Sequence, residues 1–452
     1  MEDNENKTAH PEGGVPAPSG ALRWVIYDLG HTGFTMIVMA VLFPILFQNY
    51  WAGSLPEHLK TSRYGLTLGI ASIFVALMSP VLASIAQSGG LRTVLFRVLC
   101  SLGIVGMALL SFVDQGCWQW ASLIYIVAAV GFFGANLFYD SFLIDVTTEK
   151  NRHAISGVSF SVGYVGGVLL LAAIAVWTQH WTLLGFEAAP DPRWLFVLGA
   201  VWWLVFALPL LSRKRTHHGT TALDWRKSLR DLGDTCLAFW HTKNVRWFML
   251  AYFCYIDGVH TIITSAVRYG NALGFSQGDL FMALFIVQVF GVPCALIFGV
   301  LGKYLGARPV LFAAIAIYVG VAFYGALMPV EPISLLGFAV SPMFVLAALI
   351  GMVQGGVQAL SRSYFATIIP AGREVSFFGF YSMIGRCSTV LGPILLSVIA
   401  VLMHREDAPL YSTRAGIAGI SLLFVVGAIF LAFAKPKADA TRNCESQIPN
   451  PE

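Results

Sequence analysis

Charged side chains are scarce in this sequence. Asp, Glu, Lys and Arg make up only 12% of its 452 residues, whereas hydrophobic residues make up 57%. A soluble domain carries about a quarter charged residues, because its surface must face water. The composition therefore excludes a soluble globular protein of this length and predicts a surface that faces lipid.

Several functional motifs are also missing. The sequence has no GxxxxGK[ST] phosphate loop, no GxSxG motif and no HExxH zinc motif, so we expect neither ATP use nor a cofactor. Its seven cysteines form no CxxC pair and are expected to be small core residues. Its basic residues lie in short loops, which gives no indication of nucleic-acid binding. The polar N-terminus lacks the basic and apolar regions of a signal peptide.

The sequence instead contains long apolar runs. Twelve of them reach the length of about 20 residues that crosses a bilayer as a helix, and runs this long are not barrel strands. They lie near Leu22–Phe47, Tyr64–Ala86, Thr93–Val113, Trp118–Val146, Ala154–Trp177, Trp194–Leu211, Val245–Tyr269, Gly278–Leu301, Val310–Met328, Phe338–Ile368, Ser376–Met403 and Tyr411–Ala434. We predict an all-α integral membrane protein with twelve transmembrane helices in two pseudo-symmetric halves of six.

The basic residues indicate the topology. With both termini in the cytoplasm, 20 of the 28 Lys and Arg residues fall on cytoplasmic segments, six on outer loops and two within spans, as the positive-inside rule requires. The predicted domains are a disordered cytoplasmic tail (1–21), the first half (22–211), a cytoplasmic linker (212–244), the second half (245–434) and a second cytoplasmic tail (435–452).

The linker contains apolar residues at helical spacing. They are Trp225, Leu229, Leu232, Cys236 and Phe239, and most of the charged residues nearby fall elsewhere on the helix. This pattern predicts an amphipathic helix on the cytoplasmic membrane surface. A solvated linker helix is the alternative.

The first helix of each half carries the same motif. D-x-x-H-T occurs at Asp28–Thr32 and again at Asp257–Thr261, so each Asp shares a helix face with a His, at His31 and at His260. Ionisable groups inside a membrane are costly unless they face a polar interior. The repeat favours a functional pair in each half, which binds substrate or takes up a proton during transport. A structural hydrogen-bond network and a metal site of two Asp and two His are the alternatives.

Four segments resemble a known family. They are WVIYDLGHTGF (Trp24–Phe34), NLFYDSFLIDVT (Asn136–Thr147), AYFCYIDGVHTI (Ala251–Ile262) and QALSRSYFATIIPAGREVSFFGFYSMIGR (Gln358–Arg386). They look like the unidentified major facilitator family, a branch of the major facilitator superfamily that includes the autophagy-related vacuolar amino-acid effluxers. The resemblance implies alternating access and a central cavity lined by helices one, four, seven and ten. This family commonly has Asn-Ser where this chain has His31 and Thr32, so amino-acid specificity does not transfer directly.

Two intramembrane arginines extend the candidate site. A buried lone arginine is very costly, so Arg362 in helix ten needs a partner, which is either Asp140 in helix four or an anionic group of the substrate. Arg386 in helix eleven either binds a substrate carboxylate or phosphate through its forked guanidinium or pairs with a backbone carbonyl. Tyr139 and Tyr364 each neighbour a charged candidate, although tyrosines at helical spacing are more often packing residues.

The predicted site therefore has three groups of residues. The substrate-binding residues are Asp28, His31, Tyr139, Asp140, Asp257, His260, Arg362, Tyr364 and Arg386. Asp28, His31, Asp257 and His260 are also the proton-coupling candidates. Asp145 lies about 140° around the helix from Asp140, and with Arg373 it is expected to form a gate or a structural salt bridge near the cytoplasmic end.

Together these features predict a secondary active transporter. It would move a small charged or zwitterionic, amino-acid-like metabolite by alternating access, coupled to protons. The alternatives are a transporter of a larger organic acid, metal chelate or metal ion, and an intramembrane enzyme, which rarely shows two equivalent six-helix halves. We expect a monomer in a bacterial inner membrane, with a small-molecule substrate, no resident metal and no nucleic-acid partner.

Labelling from outside tests the topology. Cysteines introduced by Glu57→Cys, Glu187→Cys and Glu331→Cys should react with a membrane-impermeant maleimide added to intact cells, because these residues lie in the predicted outer loops. Ser212→Cys, at the start of the linker, should react only after permeabilisation. Reaction of Ser212→Cys in intact cells would contradict the twelve-helix topology.

Overall fold

The computed structural model describes residues 18–213, 225–335, 337–403 and 409–434. Twelve helical spans in this part of the chain are long and apolar enough to cross a membrane, which agrees with the predicted twelve-helix fold. Spans 1 to 12 are Gly20–Trp51, Glu57–Gln87, Arg92–Phe112, Trp118–Val146, Arg152–Gln179, Trp194–Leu211, Lys243–Ala272, Gln277–Leu305, Ala307–Leu327, Pro342–Ile368, Glu374–Ile399 and Tyr411–Phe433.

Three spans are interrupted. Span 1 combines the helices Pro18–Gly33 and Phe43–Leu46 with the π-helical stretches Phe34–Leu42 and Phe47–Trp51. Span 11 consists of the helices Glu374–Cys387 and Leu391–Leu402, and span 12 of Pro409–Gly419 and Ser421–Phe433. The remaining elements are the short 3-10 helices Leu110–Phe112 and Trp181–Leu184, the linker helix Trp225–His241, and an antiparallel hairpin of β1, Ile333–Leu335, and β2, Phe338–Val340.

Two boundaries differ from the sequence-based expectation. The first helix already begins at Pro18, so the last residues of the predicted tail 1–21 are helical; residues 1–17 and the second tail, 435–452, lie outside the described residues. The predicted tenth run began at Phe338, but that residue is in β2, and span 10 starts at Pro342. The apolar residues of β2 lengthen the hydrophobic run, so the sequence places the start of span 10 too early.

The outer surface of the bundle is apolar. On span 2, Ile73, Phe74 and Leu77 are 60%, 52% and 68% exposed. The backbone of a helix satisfies its own hydrogen bonds, so such a surface is stable in hydrocarbon. This surface explains how a chain with so few charged residues folds.

In each half, an arginine of one span donates hydrogen bonds to the carbonyl oxygens at the end of another span. Arg97 in span 3 donates hydrogen bonds to the carbonyl oxygens of Leu211, at 2.7 Å, and Arg213, at 2.6 Å, at the end of span 6. Arg308 in span 9 donates in the same way to Ala432, at 2.6 Å, at the end of span 12. These carbonyls have no partner within their own helix, and a cation there also offsets the helix dipole. The two halves therefore repeat one packing arrangement.

The halves meet most closely on one side of the bundle, called here the linker side because the linker helix lies there. Gly157 of span 5 faces Gly299 of span 8, and a Cβ added to Gly157 would lie 2.7 Å from the Gly299 Cα. A Cβ added to Gly379 of span 11 would lie 2.4 Å from the Ala83 Cβ of span 2. Small residues at these points let the backbones approach.

Polar contacts reinforce this closure. The Arg152 guanidinium, at the start of span 5, donates a hydrogen bond to the Ala366 carbonyl of span 10 at 3.1 Å. The Gln87 amide, at the end of span 2, donates to the Gly372 carbonyl between spans 10 and 11 at 2.7 Å. The protein is therefore closed between its halves on the linker side.

The linker contains the predicted helix, Trp225–His241. Thr235 is 2% exposed, and Phe239, which belongs to the predicted apolar face, stacks on Phe380 of span 11 with ring centroids 5.9 Å apart. Cys236 of the same predicted face is exposed, as are Leu237 and Trp240, at 59% and 55%. The helix packs against spans 2 and 11, and its contact with the membrane surface stays a prediction.

Candidate functional site

A cavity of about 300 Å³ lies between the two halves. It is called here the central cavity, and spans 1, 4, 7, 10 and 11 supply most of its lining. Seven of the nine predicted substrate-binding residues line it: Asp28, His31, Tyr139, Asp140, His260, Arg362 and Arg386. The volume is at the low end of the range for ligand pockets, which suits a small solute.

Asp28 is fully engaged within the first half. It is 3% exposed, its Oδ1 lies 3.0 Å from His31 Nδ1, and its Oδ2 accepts a hydrogen bond from the Ser159 hydroxyl. The Tyr139 hydroxyl in turn lies 2.5 Å from the Ser159 hydroxyl. Span 5 thus connects a carboxylate on span 1 with a phenol on span 4. The network holds an ionisable pair at the cavity wall, where a buried charge is stable only if it is hydrogen-bonded.

Arg362 joins the second half to the first. Its Nη1 lies 3.0 Å from Asp140 Oδ1, and its Nε and Nη2 donate to the Ser156 hydroxyl at 3.3 Å and 3.1 Å. The guanidinium carbon lies 4.6 Å and 4.7 Å from the ring centroids of Trp24 and Phe160. Asp140 and a substrate anion were the two predicted partners of Arg362, and in this structure Asp140 pairs with it. An ion pair, hydrogen bonds and cation–π contacts together stabilise the buried cation.

Arg386 has a different environment. Its guanidinium carbon lies 3.8 Å from the Phe133 ring centroid, and among the described residues no carboxylate lies within ion-pair distance of it. His260 lines the same cavity, and its buried Nδ1 has no hydrogen-bond partner in the described part of the chain. The second half therefore presents polar groups to the cavity that the protein itself leaves unpaired.

Asp257 does not line the central cavity, so the predicted functional pair of the second half, Asp257 with His260, does not form in this structure. It is fully buried, and its two oxygens accept the backbone N–H groups of Leu391, at 2.8 Å, and Gly392, at 3.0 Å. These are the first residues of the second helix of span 11, whose unpaired N–H groups and positive dipole end favour a carboxylate. A Cβ on Gly392 would lie 1.8 Å from the Thr261 hydroxyl. Asp257 caps a broken helix instead of pairing with His260.

Tyr364 is also misassigned. It is 3% exposed, its hydroxyl donates to the Ala434 carbonyl at 3.3 Å, and its ring packs edge-on against Phe248 at 5.1 Å. Although Tyr364 is only two residues from Arg362, a step of about 200° turns it to another helix face. It is a packing residue between spans 7, 10 and 12.

The proposed gate pair does not form in this structure. Asp145 lies 3.1 Å from Arg92 Nη1, at the start of span 3, and 2.9 Å from Arg213 Nη2, at the start of the linker just after span 6. Arg373 donates instead to the Asp234 carbonyl of the linker helix at 3.4 Å. Asp145 is thus part of a structural salt bridge, the second of the two roles considered for it.

Sequence reasoning missed several residues of the site. Ser156 and Ser159 hold Arg362 and Asp28, and their spacing of three on an apolar helix was a usable signal. Gln354 and Gln358 face cavities between the halves, and with Arg362 they form an i, i+4, i+8 series along one face of span 10. Further cavity residues are Asn136, Phe133, Tyr252, Tyr381 and Ser382.

A comparison with protein-family models shows which family the chain belongs to. The model of a family described as vacuole effluxer Atg22 like matches residues 56–440. The chain belongs to this family. Among the relatives of this Atg22-like chain is the uncharacterized MFS-type transporter YxiO of Bacillus subtilis (strain 168), which is 32% identical over 94% of the chain and 96% of its own length. Autophagy-related protein 22-1 of Aspergillus fumigatus is 29% identical over 57% of the chain and 45% of its own length.

Solved structures establish the fold of this Atg22-like protein. The proton:xylose symporter XylE has a TM-score of 0.66 at 14% identity, covering 92% of this chain and 96% of its own. The human organic anion transporter MFSD10 has a TM-score of 0.66 at 14% identity, covering 91% and 99%. FucP in its outward conformation has a TM-score of 0.62 at 14% identity, covering 93% and 99%. The chain has the major facilitator fold, and it is a multi-pass membrane transporter.

A double-mutant cycle tests the ion pair between the halves. Arg362→Ala should lower the free energy of unfolding by about 3 kcal/mol, because it leaves Asp140 without its cation. Combining it with Asp140→Asn should recover about 1 kcal/mol or more as a coupling energy. Unfolding of the purified protein in detergent, followed by intrinsic fluorescence, measures both quantities.

Arg386→Ala combined with Asp140→Asn is the matched control, because Arg386 has no carboxylate partner in the part of the chain that the structure describes. These two substitutions should be additive. Additivity of Arg362→Ala with Asp140→Asn would show that the pair contributes no stability.

Proposed function

We propose that this protein is a secondary active transporter of a small charged or zwitterionic metabolite, with an amino-acid-like solute as the leading candidate. It works by alternating access and is coupled to protons. The observation that carries the proposal is the state of Arg386, a cation that lines the central cavity without a carboxylate partner among the described residues.

Arg386 supports an anionic group on the solute. A guanidinium is always charged and offers five N–H donors in a planar fork that matches a carboxylate or a phosphate. The Phe133 ring covers part of its surface at 3.8 Å, which keeps the cation from being fully hydrated. An incoming carboxylate would therefore gain a charge-assisted hydrogen bond that the empty protein does not form.

Asp140 supports a positive group on the same solute. Only its Oδ1 lies within 3.0 Å of Arg362, and no donor from the described residues is bonded to Oδ2. The side chain is 23% exposed and lines the central cavity. A cavity that offers Arg386 to a carboxylate and Asp140 to an ammonium group suits a zwitterion.

Proton coupling is assigned to Asp28 and His31. They are the ionisable pair at the cavity wall, 3.0 Å apart, and a proton on either one changes the charge of the network that includes Ser159 and Tyr139. Asp257 is withdrawn from this role, because its carboxylate is committed to span 11. His260 remains a second candidate for binding or coupling.

A larger organic acid is the second candidate substrate. Arg386 would bind its anionic group equally well, and the structural neighbour MFSD10 is described as an organic anion transporter. A bare metal ion is a weaker candidate, because the site of two Asp and two His requires Asp257, which does not reach the cavity. The described residues contain no cluster of three His, Cys, Asp or Glu with the geometry to hold a metal ion.

Substitution of Arg386 tests the proposal directly. The parent protein should be stabilised thermally by at least one carboxylated metabolite in a screen, because a ligand that binds only the native state raises its melting temperature. Arg386→Gln should abolish that shift, and Arg386→Lys, which keeps the charge but not the fork, should weaken it. Counterflow of the same labelled solute into liposomes should fall in parallel. An unchanged thermal shift in Arg386→Gln would refute the assignment.

Neutralising Asp28 tests proton coupling. Asp28→Asn should abolish uphill transport driven by a proton gradient but leave exchange of labelled for unlabelled solute, since exchange needs no net proton movement. Asp257→Asn is the matched control, because it removes a carboxylate on the equivalent helix outside the cavity and keeps one acceptor oxygen for the helix cap. Uphill transport in proteoliposomes should persist in that variant. Equal defects in both variants would show that the two aspartates act structurally.

A further inference from the structure

A second cavity of about 170 Å³ adjoins the central cavity. Spans 1, 5, 8 and 10 form it, and both cavities share Asp28, His31, Thr35, Phe160 and Gln358. Because five residues border both spaces, the two cavities lie side by side, and a solute that occupied both would contact this shared wall. We call this space the glutamine chamber, because Gln288, Gln354 and Gln358 line it.

The glutamines are available for hydrogen bonding. Gln354 and Gln358 are half-buried, and within the described parts of the chain neither side chain has a hydrogen-bond partner. Gln288 is 7% exposed, and among the described residues its Nε2 has one hydrogen-bond partner, the Met36 sulfur at 3.4 Å, which is a weak acceptor. Each amide supplies two donors and an acceptor with two lone pairs. Because these amides face a cavity and form no strong hydrogen bond within the described residues, the chamber is suited to a ligand that bonds to them.

Gly167 of span 5 leaves room for the Gln288 amide. A Cβ added to Gly167 would lie 2.4 Å from the Gln288 Oε1, whereas one added to Gly163 would make only an ordinary contact, 3.6 Å from the Asp28 Cγ. A larger residue at position 167 would displace the Gln288 amide. The position of that amide therefore depends on Gly167.

The free hydrogen-bonding groups of the chamber are neutral. Its only charged pair is on the shared wall, where the Asp28 oxygens are taken by His31 and by the Ser159 hydroxyl. The other lining residues are Thr32, Thr35, Met36, Phe160, Gly163, Tyr164 and the three glutamines. Amides that both donate and accept match hydroxyl and carboxamide groups, which do the same.

We propose that the glutamine chamber binds a neutral hydroxyl- or carboxamide-bearing tail of the transported solute, whose carboxylate is held by Arg386. This inference rests on the proposed function and specifies the solute further. It predicts a carboxylated solute with a polar, uncharged tail, and it assigns to Gln354 and Gln358 the discrimination against aliphatic tails.

Matched pairs of solutes test this assignment. The pairs are glycerate with propionate, gluconate with hexanoate, and glutamine with norleucine; within each pair the main difference is the neutral polar groups. In at least one pair the polar solute should bind the full-length protein about tenfold more tightly, because its aliphatic counterpart leaves the amides unpaired. Isothermal titration of the purified protein measures each dissociation constant.

Glutamine substitutions identify the chamber as the cause. Gln354→Leu with Gln358→Leu should reduce the preference to about threefold or less, and Gln358→Met, which keeps the side-chain volume, should reduce it in part and serves if the double variant does not fold. Gln119→Leu, at an exposed position of span 4, should retain the full preference. The proposal is overturned if no pair favours its polar member, or if the preference persists in the chamber variants.

Arg386→Gln separates this result from the proposed function. It should weaken binding of both members of a pair by a similar factor and leave their ratio unchanged. If both members bind equally and both depend on Arg386, the glutamine chamber is refuted and the proposed function stands. If binding of every carboxylate is insensitive to Arg386→Gln, the proposed function fails, and the chamber proposal, which rests on it, fails as well.

Discussion

The buried guanidinium of Arg362 connects the two halves, and the rest of the site is arranged around it. Arg362 belongs to span 10 of the second half, but Asp140, Ser156, Trp24 and Phe160, which surround it, all belong to the first. Apolar packing between helices gains little in a bilayer, because lipid satisfies apolar surfaces equally well. A desolvated charge is different, since it is stable only while its partners stay in place. The register of span 10 against the first half is therefore fixed by electrostatics.

The two halves use one motif in two ways. In span 1, Asp28 pairs with His31 three residues later and faces the central cavity. In span 7, Asp257 faces the break in span 11 and leaves His260 unpaired at the cavity wall. The break demands a carboxylate, because the exposed N–H groups of a helix start inside a membrane have no water to bond. The two copies of the motif therefore have different roles: one aspartate lies in the site, and the other caps the second helix of span 11, which follows the helix that carries Arg386.

The features that follow from the physical properties of the bilayer could be predicted from the sequence. Twelve spans follow from run length and hydropathy, and the Arg362–Asp140 pair followed from the cost of an unpaired cation, although a substrate anion remained an equal alternative. Asp257 could not be assigned correctly, because its partners are backbone N–H groups created by a helix break that the apolar run from 376 to 403 does not reveal. The assignment of Tyr364 to the site and the pairing of Asp145 with Arg373 were wrong for a related reason: helical spacing gives the face of a residue but not the element packed against it. The glutamines of span 10 were predictable, since their spacing of four places them in line with Arg362.

Closure of the halves on the linker side and binding of a solute in the central cavity both affect one contact, that of Arg362 with Asp140 and Ser156. If the halves separate on that side, Arg362 moves with span 10 while Asp140 and Ser156 stay with the first half. An unpaired guanidinium in that position costs several kcal/mol, because it has lost both water and its counterion. Under the proposed function, a solute carboxylate in the central cavity would offer a replacement anion, and Arg386, which lines the same cavity, would favour its presence there. The cost of opening would then be higher for the empty protein than for the loaded one, which is the condition that an alternating-access transporter must meet to avoid opening without its solute.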